Sequence, residues 1–232
     1  MRGKIVITGG GTGGHVFPAL AIANELKRRG YVILYVGSKR GFETTHVPKA
    51  GFPFYTINTG SVKNQGALKT LTSLYQVFMG MLWAVAFLLR ERPNAVLGVG
   101  GYVSVPVCLA AFIVRIPLYI QEQNVSVGIS NRILGKLAKC VFLGFEDAMG
   151  SFKESKCVNS GNPLRQEFRE TKPVPINPEK LSLLVLGGSQ GARAINYSMV
   201  MLLEELLETF PTLFIRHQTG ASDFGGVLQH YQ

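Results

Sequence analysis

Three times along this chain a short apolar run leads into a glycine-rich turn and then into residues at helical spacing, and that grammar restricts the fold more than any other feature. Ile5-Val6-Ile7 leads into "TGGGTGGHVFP" (Thr8 to Pro18), Ala95-Val96-Leu97 into "GVGGYVS" (Gly98 to Ser104), and the run after Leu181 into "GGSQGAR" (Gly187 to Arg193). Short, continuous, β-branched runs suit strands buried on both faces. After the first turn Pro18 suits a helix's first turn, and Leu20, Ala23 and Leu26 recur at helical spacing. Lys27-Arg28-Arg29 load the last turn and Gly30 ends it, ahead of a second strand from Tyr31 to Val36. Alternation of this kind predicts an α/β fold: a parallel sheet with helices on both faces, binding ligands at the carboxyl ends of its strands.

"TKPVPINPEK" (Thr171 to Lys180) holds three prolines in ten residues, a linker composition. The expected organisation is therefore a Rossmann-like domain over 1–165, a linker over 166–180, and the start of a second domain over 181–232. That last stretch has room for a strand, a helix and another strand ending near Arg216-His217. It is too short for a closed domain, so it reads either as part of a fragment or as an extension packed on the first domain.

With 47% hydrophobic and only 16% charged residues, a disordered chain is excluded. The formal charge of +10 points to an anionic partner: nucleic acid, a phosphorylated small molecule or a phospholipid surface. Nucleic acid rests on charge alone, without aromatic-basic interleaving or zinc spacing, and is not expected. Cys108, Cys140 and Cys157 lack metal-ligand spacing and read as structural thiols in a reducing compartment; no signal peptide is visible at the start. "LYQVFMGMLWAVAFLL" (Leu74 to Leu89) is shorter than a membrane span. It is either a buried helix or an interfacial one, since Lys63, Lys69, Arg90 and Arg92 flank it and its apolar residues exceed one buried face.

Gly9, Gly11 and Gly14 satisfy the G-x-G-x-x-G spacing between strand and helix. The second strand, however, ends Val36-Gly37-Ser38-Lys39-Arg40 without the acid that would hold a ribose, which disfavours a nicotinamide or flavin oxidoreductase. The Walker pattern fails as well, because His15 stands where its lysine should be. What remains is a helix amino terminus with bare amides, a site for phosphate oxygens. His15 lies at that terminus, where the positive helix end disfavours imidazolium; a neutral ring there can take a proton from a hydroxyl. The alternative is a histidine that only bonds its own loop. The turn at Gly98 to Ser104 offers further amides and a hydroxyl, or is a packing turn. "QEQN" (Gln121 to Asn124) should emerge at the same sheet edge, with Glu122 as a possible acid or base, or as part of a capped loop. The turn at Gly187 to Arg193 offers a third anion site, with Ser189 placed to hydrogen-bond.

Taken together, "GGTGGHVFP", "GVGGYVS", "EQN", "GNPLR" (Gly161 to Arg165) and "GGSQGAR", in this order across almost the whole chain, resemble the MurG family of peptidoglycan glycosyltransferases. The resemblance implies a GT-B fold, in which two Rossmann-like domains face a cleft, and inverting transfer of N-acetylglucosamine from UDP-N-acetylglucosamine to undecaprenyl-diphospho-muramoyl-pentapeptide, lipid I to lipid II. It implies Gly10, Gly11, Gly13, Gly14, Gly100, Gly101, Tyr102 and Ser104 at the acceptor's diphosphate, and His15 as the base with Glu122 as the other candidate. Thr12, Gly13, Gly14, Asn124, Arg165 and Ser189 match positions that contact the UDP-sugar. Phe78, Leu82, Trp83 and Phe87 would touch an anionic inner membrane surface, giving a peripheral protein on its cytoplasmic face. Neither a cofactor nor a metal is called for.

Two departures stand out. Gln121 occupies a position where many relatives carry histidine, and the family's donor domain continues well past the equivalent of Gln232. The chain alone is therefore expected not to turn over, and a non-catalytic polyprenyl-diphosphate binding module is the competing expectation.

Overall fold

The structure is a computed structural model that describes residues 2–58, 67–172, 181–188 and 190–231. Ser189, Lys63 and most of the proline-rich tract lie outside the described residues. The chain divides into two compact units, Met1–Thr171 and Lys172–Gln232.

In the first unit the elements run β1 (Gly3–Thr8), α1 (Gly13–Arg28), β2 (Tyr31–Ser38), α2 (Glu43–Lys49), β3 (Phe54–Ile57), α3 (Ala67–Glu91), β4 (Ala95–Gly98), α4 (Ser104–Ile113), β5 (Leu118–Glu122), α5 (Ile129–Leu137), β6 (Cys140–Leu143), β7 (Cys157–Asn159) and α6 (Gln166–Glu170). All seven strands are parallel, in the order β3-β2-β1-β4-β5-β6-β7. Winding reverses between β1 and β4, which pair directly with Thr8 opposite Gly98. At such a reversal the loops leaving the two strands diverge to opposite faces and open a crevice. The first two glycine turns are those loops.

Each strand buries alternate residues in opposite layers, as a pleated backbone covered on both faces requires. Val6, Leu34, Val36 and Val96 pack with α3, α4 and α5, while Ile7, Ile33, Tyr35 and Leu97 pack with α1 and α2. α1 starts at Gly13, earlier than Pro18 suggests, so that Pro18 sits inside the helix and His15 falls in its first turn. Gly30, at φ +88°, closes α1 through a bond from its amide to the Lys27 carbonyl at 2.9 Å. β5 reaches Glu122, so Gln121 and Glu122 belong to the strand's buried end and the loop begins only after them.

α3 has two apolar faces. One is core: Ala84, Phe87 and Leu88 are buried, and Phe87 packs on Tyr55 at 4.8 Å between ring centroids and stacks on Trp83 at 5.0 Å. The other carries Tyr75, Phe78, Met79 and Leu82 into solvent, with Phe78 52% and Leu82 46% exposed. The expectation that Phe87 touches a membrane is thereby corrected. At 4% exposure it fills the gap between α3 and the sheet, because at 3.6 residues per turn its position falls on the side of the helix away from the Phe78–Leu82 stripe.

In the second unit β8 (Ser182–Leu186) pairs in parallel with β9 (Phe214–Gln218), joined by α7 (Arg193–Thr209) and followed by α8 (Phe224–Tyr231). Gly191, at φ +76°, passes so close to the Thr219 carbonyl that a Cβ would meet it, and buried Asn196 donates to that carbonyl at 2.9 Å and to Asp223 at 3.0 Å.

Phe87→Ala should lower unfolding free energy by about 3–5 kcal/mol, whereas Phe78→Ala should change it by about 0.5 kcal/mol or less, measured by urea denaturation.

Candidate active site

The first glycine loop is shaped from beneath by an acid. Glu43, the first residue of α2, is fully buried, and its carboxylate accepts from the Gly11 amide at 2.9 Å, the Ser38 amide at 3.0 Å and the Ser38 hydroxyl at 2.5 Å. A Cβ at Gly10, Gly37 or Gly41 would come within 2.3, 2.7 and 2.5 Å of this side chain, so three glycines make room for one carboxylate. Tyr35, also fully buried, donates its hydroxyl to the Gly9 carbonyl at 3.0 Å. Burial, helped by the charge of Glu43, pushes that phenol far above its usual range and keeps it a donor. Nothing marks Glu43 as an acid at a strand end, since it lies five residues past Ser38; the flanking Gly37 and Gly41 were the available signal.

The second loop locks onto the first, backbone to backbone. The Gly10 amide donates to the Gly100 carbonyl at 3.3 Å, and at Gly101, with φ +80°, a Cβ would lie 2.4 Å from the Gly10 carbonyl oxygen. Gly10 and Gly11 therefore turn their N–H groups inward and contribute shape. The amides of Gly13 and Gly14 head α1, where no intrahelical acceptor exists, and the Thr12 side chain makes no cap bond. Tyr102 lies beside Gly11, within 3.8 Å of where a Cβ would stand. Ser104 corrects an expectation: it is fully buried at the head of α4 and its hydroxyl donates to the Gly101 carbonyl at 2.7 Å, holding the turn. A hydroxyl whose proton is committed inside the turn in this way is not presented to a ligand.

His15 is half-buried against Gly100, whose missing side chain admits the ring: a Cβ would come 2.8 Å from its Cε1 and Nδ1. Nδ1 lies 2.9 Å from Oε1 of Gln123. Gln123 is itself held by bonds from Nε2 to the Val99 carbonyl at 2.9 Å and the Gln121 carbonyl at 3.1 Å, and Nε2 also meets Oε1 of Gln121. Asn162, within the "GNPLR" motif, donates to the Gln123 carbonyl at 3.0 Å and accepts from Gln121 at 3.4 Å. Sequence reasoning passed over Gln123, Asn131 and Asn162, whose amide side chains announce no chemistry by type.

Glu122 is buried at the end of β5 with both oxygens occupied. Oε1 accepts from the Asn124 amide at 2.9 Å and Asn124 Nδ2 at 3.1 Å, and Oε2 from the Gly128 amide at 3.3 Å and Asn131 Nδ2 at 3.0 Å. Such a carboxylate holds the loop ahead of α5 in place. Arg165 reaches the same end of α1, its guanidinium 4.8 Å from the ring of Phe17 and 4.9 Å from that of Phe168; no carboxylate pairs with it among the described residues. His15, Thr12, Gly13, Gly14, Asn124 and Arg165 thus belong to one unit and are drawn toward one sheet edge. Gly188 and Gly191 of the third glycine turn are left-handed, at φ +76° each, and belong to the second unit.

Glu43→Ala should strand the Gly11 and Ser38 donors and cost about 1–3 kcal/mol of stability, with Glu43→Gln recovering part of it, as read by urea denaturation.

The Glycosyltransferase family 28 N-terminal domain matches residues 5–143. The UDP-N-acetylglucosamine–N-acetylmuramyl-(pentapeptide) pyrophosphoryl-undecaprenol N-acetylglucosamine transferase of Myxococcus xanthus is 39% identical over 231 residues, covering 98% of this chain and 60% of the relative. The enzyme of the same name from Moorella thermoacetica is 41% identical over 235 residues, covering 97% and 63%. The crystal structure of Acinetobacter baumannii MurG superposes with a TM-score of 0.76 at 29% identity, covering 98% of this chain and 64% of that one. The chain spans about three-fifths of the length of these curated relatives. Its fold class is α/β of the GT-B type. With the family's first domain matched over more than half of its length, the chain belongs to glycosyltransferase family 28.

Proposed function

We propose that this chain carries the acceptor side and the base of an inverting glycosyltransferase that moves N-acetylglucosamine from UDP-N-acetylglucosamine to undecaprenyl-diphospho-muramoyl-pentapeptide. The observation that carries the reading is the convergence of donors without internal acceptors, Gly13 and Gly14 at the head of α1, with His15 and Arg165, which has no carboxylate partner among the described residues, at one sheet edge. The names of the relatives at about 40% identity supply the substrates.

In this reading His15 takes the proton of the muramoyl hydroxyl as its oxygen attacks the anomeric carbon. The bond from that carbon to the phosphate oxygen breaks and its electron pair leaves with UDP. Attack from the face opposite UDP gives inversion, without a covalent intermediate. Thr12, Gly13, Gly14, Asn124 and Arg165 are assigned to the UDP-sugar, with phosphate oxygens stabilised by the positive end of α1. The loop at Gly100, Gly101 and Tyr102 is assigned, with Gly10 and Gly11 as its floor, to the acceptor's diphosphate. Glu122, with four donors on its carboxylate, is assigned to holding Asn124 in place. Residues 1–165 form the acceptor domain in this scheme and residues 181–232 the start of the donor domain.

No helix among the described residues is long and apolar enough to cross a membrane. The exposed Phe78–Leu82 stripe of α3, with the formal charge of +10, supports peripheral attachment to an anionic inner membrane surface on its cytoplasmic face.

Transfer of labelled N-acetylglucosamine to a short-chain lipid acceptor, assayed in the protein carrying this sequence, tests the reading. His15→Ala should lower kcat by about 100-fold or more. A nearly undiminished rate would remove His15 from the base role, and a larger loss in Glu122→Gln would hand that role to Glu122. Acceptor binding with no transfer would favour the non-catalytic polyprenyl-diphosphate module. In liposome sedimentation, Phe78→Ser with Leu82→Ser should weaken binding to anionic vesicles by about tenfold or more; no change would return α3 to a purely structural role.

A further inference from the structure

The amide of Gln123 has only one orientation that its surroundings accept. One end of it faces oxygen three times over: the Val99 carbonyl at 2.9 Å, the Gln121 carbonyl at 3.1 Å and Oε1 of Gln121. That end must be the NH2 group, since a carbonyl there would meet acceptors alone. The other end is then an oxygen, and it lies 2.9 Å from Nδ1 of His15. An oxygen without a hydrogen can only accept, so Nδ1 carries the proton. In a neutral ring this leaves the lone pair on Nε2, which no described residue engages.

We propose that Gln123 is a positioning residue that locks neutral His15 as the Nδ1–H tautomer and so makes Nε2 the nitrogen that receives the proton of the attacking hydroxyl. The second half of this statement rests on the reading of His15 as the base. The first half stands by itself. The lock is built from several elements. Val99 follows β4, Gln121 ends β5, Asn162 fixes the Gln123 backbone carbonyl at 3.0 Å, and Gly100 leaves space for the ring. A histidine in the first turn of a helix would otherwise be free to choose either tautomer, and in water neutral histidine favours Nε2–H. That form would point a donor, not an acceptor, at a hydroxyl nucleophile.

The test is the tautomer itself. Histidine-labelled protein is examined by long-range proton–nitrogen correlation at a pH where the rings are neutral, with His15 assigned from a His15→Asn variant. The expected result is Nδ1–H at His15. Gln123→Met, similar in volume and without an acceptor, should move His15 toward Nε2–H. The wild-type ring found as Nε2–H, or a folded Gln123→Met protein with unchanged Nδ1–H, overturns the proposal. Should Gln123→Met fail to fold, the wild-type spectrum decides alone. In transfer assays Gln123→Met should lower kcat by at least about 10-fold with KM little changed, the loss expected of a wrongly oriented base. If the tautomers behave as expected while His15→Ala still transfers sugar, the base reading fails and the positioning role of Gln123 remains.

Discussion

A carboxylate sealed beneath a glycine loop governs what that loop can offer. Glu43 has no route to water, and its charge is tolerable only because backbone and hydroxyl donors from Gly11 and Ser38 meet it. Those donors fix the loop's path between β1 and α1. The glycines around it follow from that: Gly10, Gly37 and Gly41 keep clear of the carboxylate, and Gly101 lets the neighbouring loop press against Gly10. A loop that uses its first amides internally reserves its binding capacity for Thr12, Gly13 and Gly14, where the partial positive charge of α1 is concentrated. Cradle and anchor are therefore different residues, although both are glycine-rich in the sequence.

A second polar layer fixes the side chains. Gln121, Gln123, Asn131 and Asn162 tie the ends of β4 and β5 to the motif after β7, and Glu122 binds the loop before α5 through four donors. Networks of this kind, buried and nearly complete, strengthen in a low dielectric and permit few alternative arrangements. Geometry of that sort suits a ring whose useful nitrogen has to be one particular nitrogen.

Much of this was legible in the sequence because it follows from periodicity. Strand, glycine turn and helix repeat in a way that a parallel sheet satisfies, and the glycine turn places His15 at the amino terminus of α1, although the helix starts at Gly13, earlier than Pro18 suggests. Less legible were features that depend on three-dimensional satisfaction. Glu43 escaped notice because it stands five residues past the last residue of β2, at the start of a helix that delivers its carboxylate beneath the glycine loop and against the Ser38 amide. Ser104 looked like a free hydroxyl, and the Gly101 carbonyl of the turn before α4 claims its proton. Glu122 looked like an acid or base, yet its partners Gly128 and Asn131 lie six and nine residues away along a loop whose path no local pattern dictates.

Phe87 shows why hydropathy could not separate the two faces of α3. From Val77 to Leu89 the helix carries no charged, hydroxyl or amide side chain, so the sequence there sets no polar face against the core. Only the sheet decides: Tyr55 on β3 captures Phe87, which commits Ala84 and Leu88 to the same side and leaves Tyr75, Phe78, Met79 and Leu82 outward. A helix needing only to cover the sheet would place polar residues on that outer stripe, where each apolar side chain forgoes roughly 1.5–3 kcal/mol of burial. Four such residues at helical spacing are more apolar surface than a solvent-facing helix requires. The buried face explains the fold, and the outer face is the part of α3 that a lipid surface would explain.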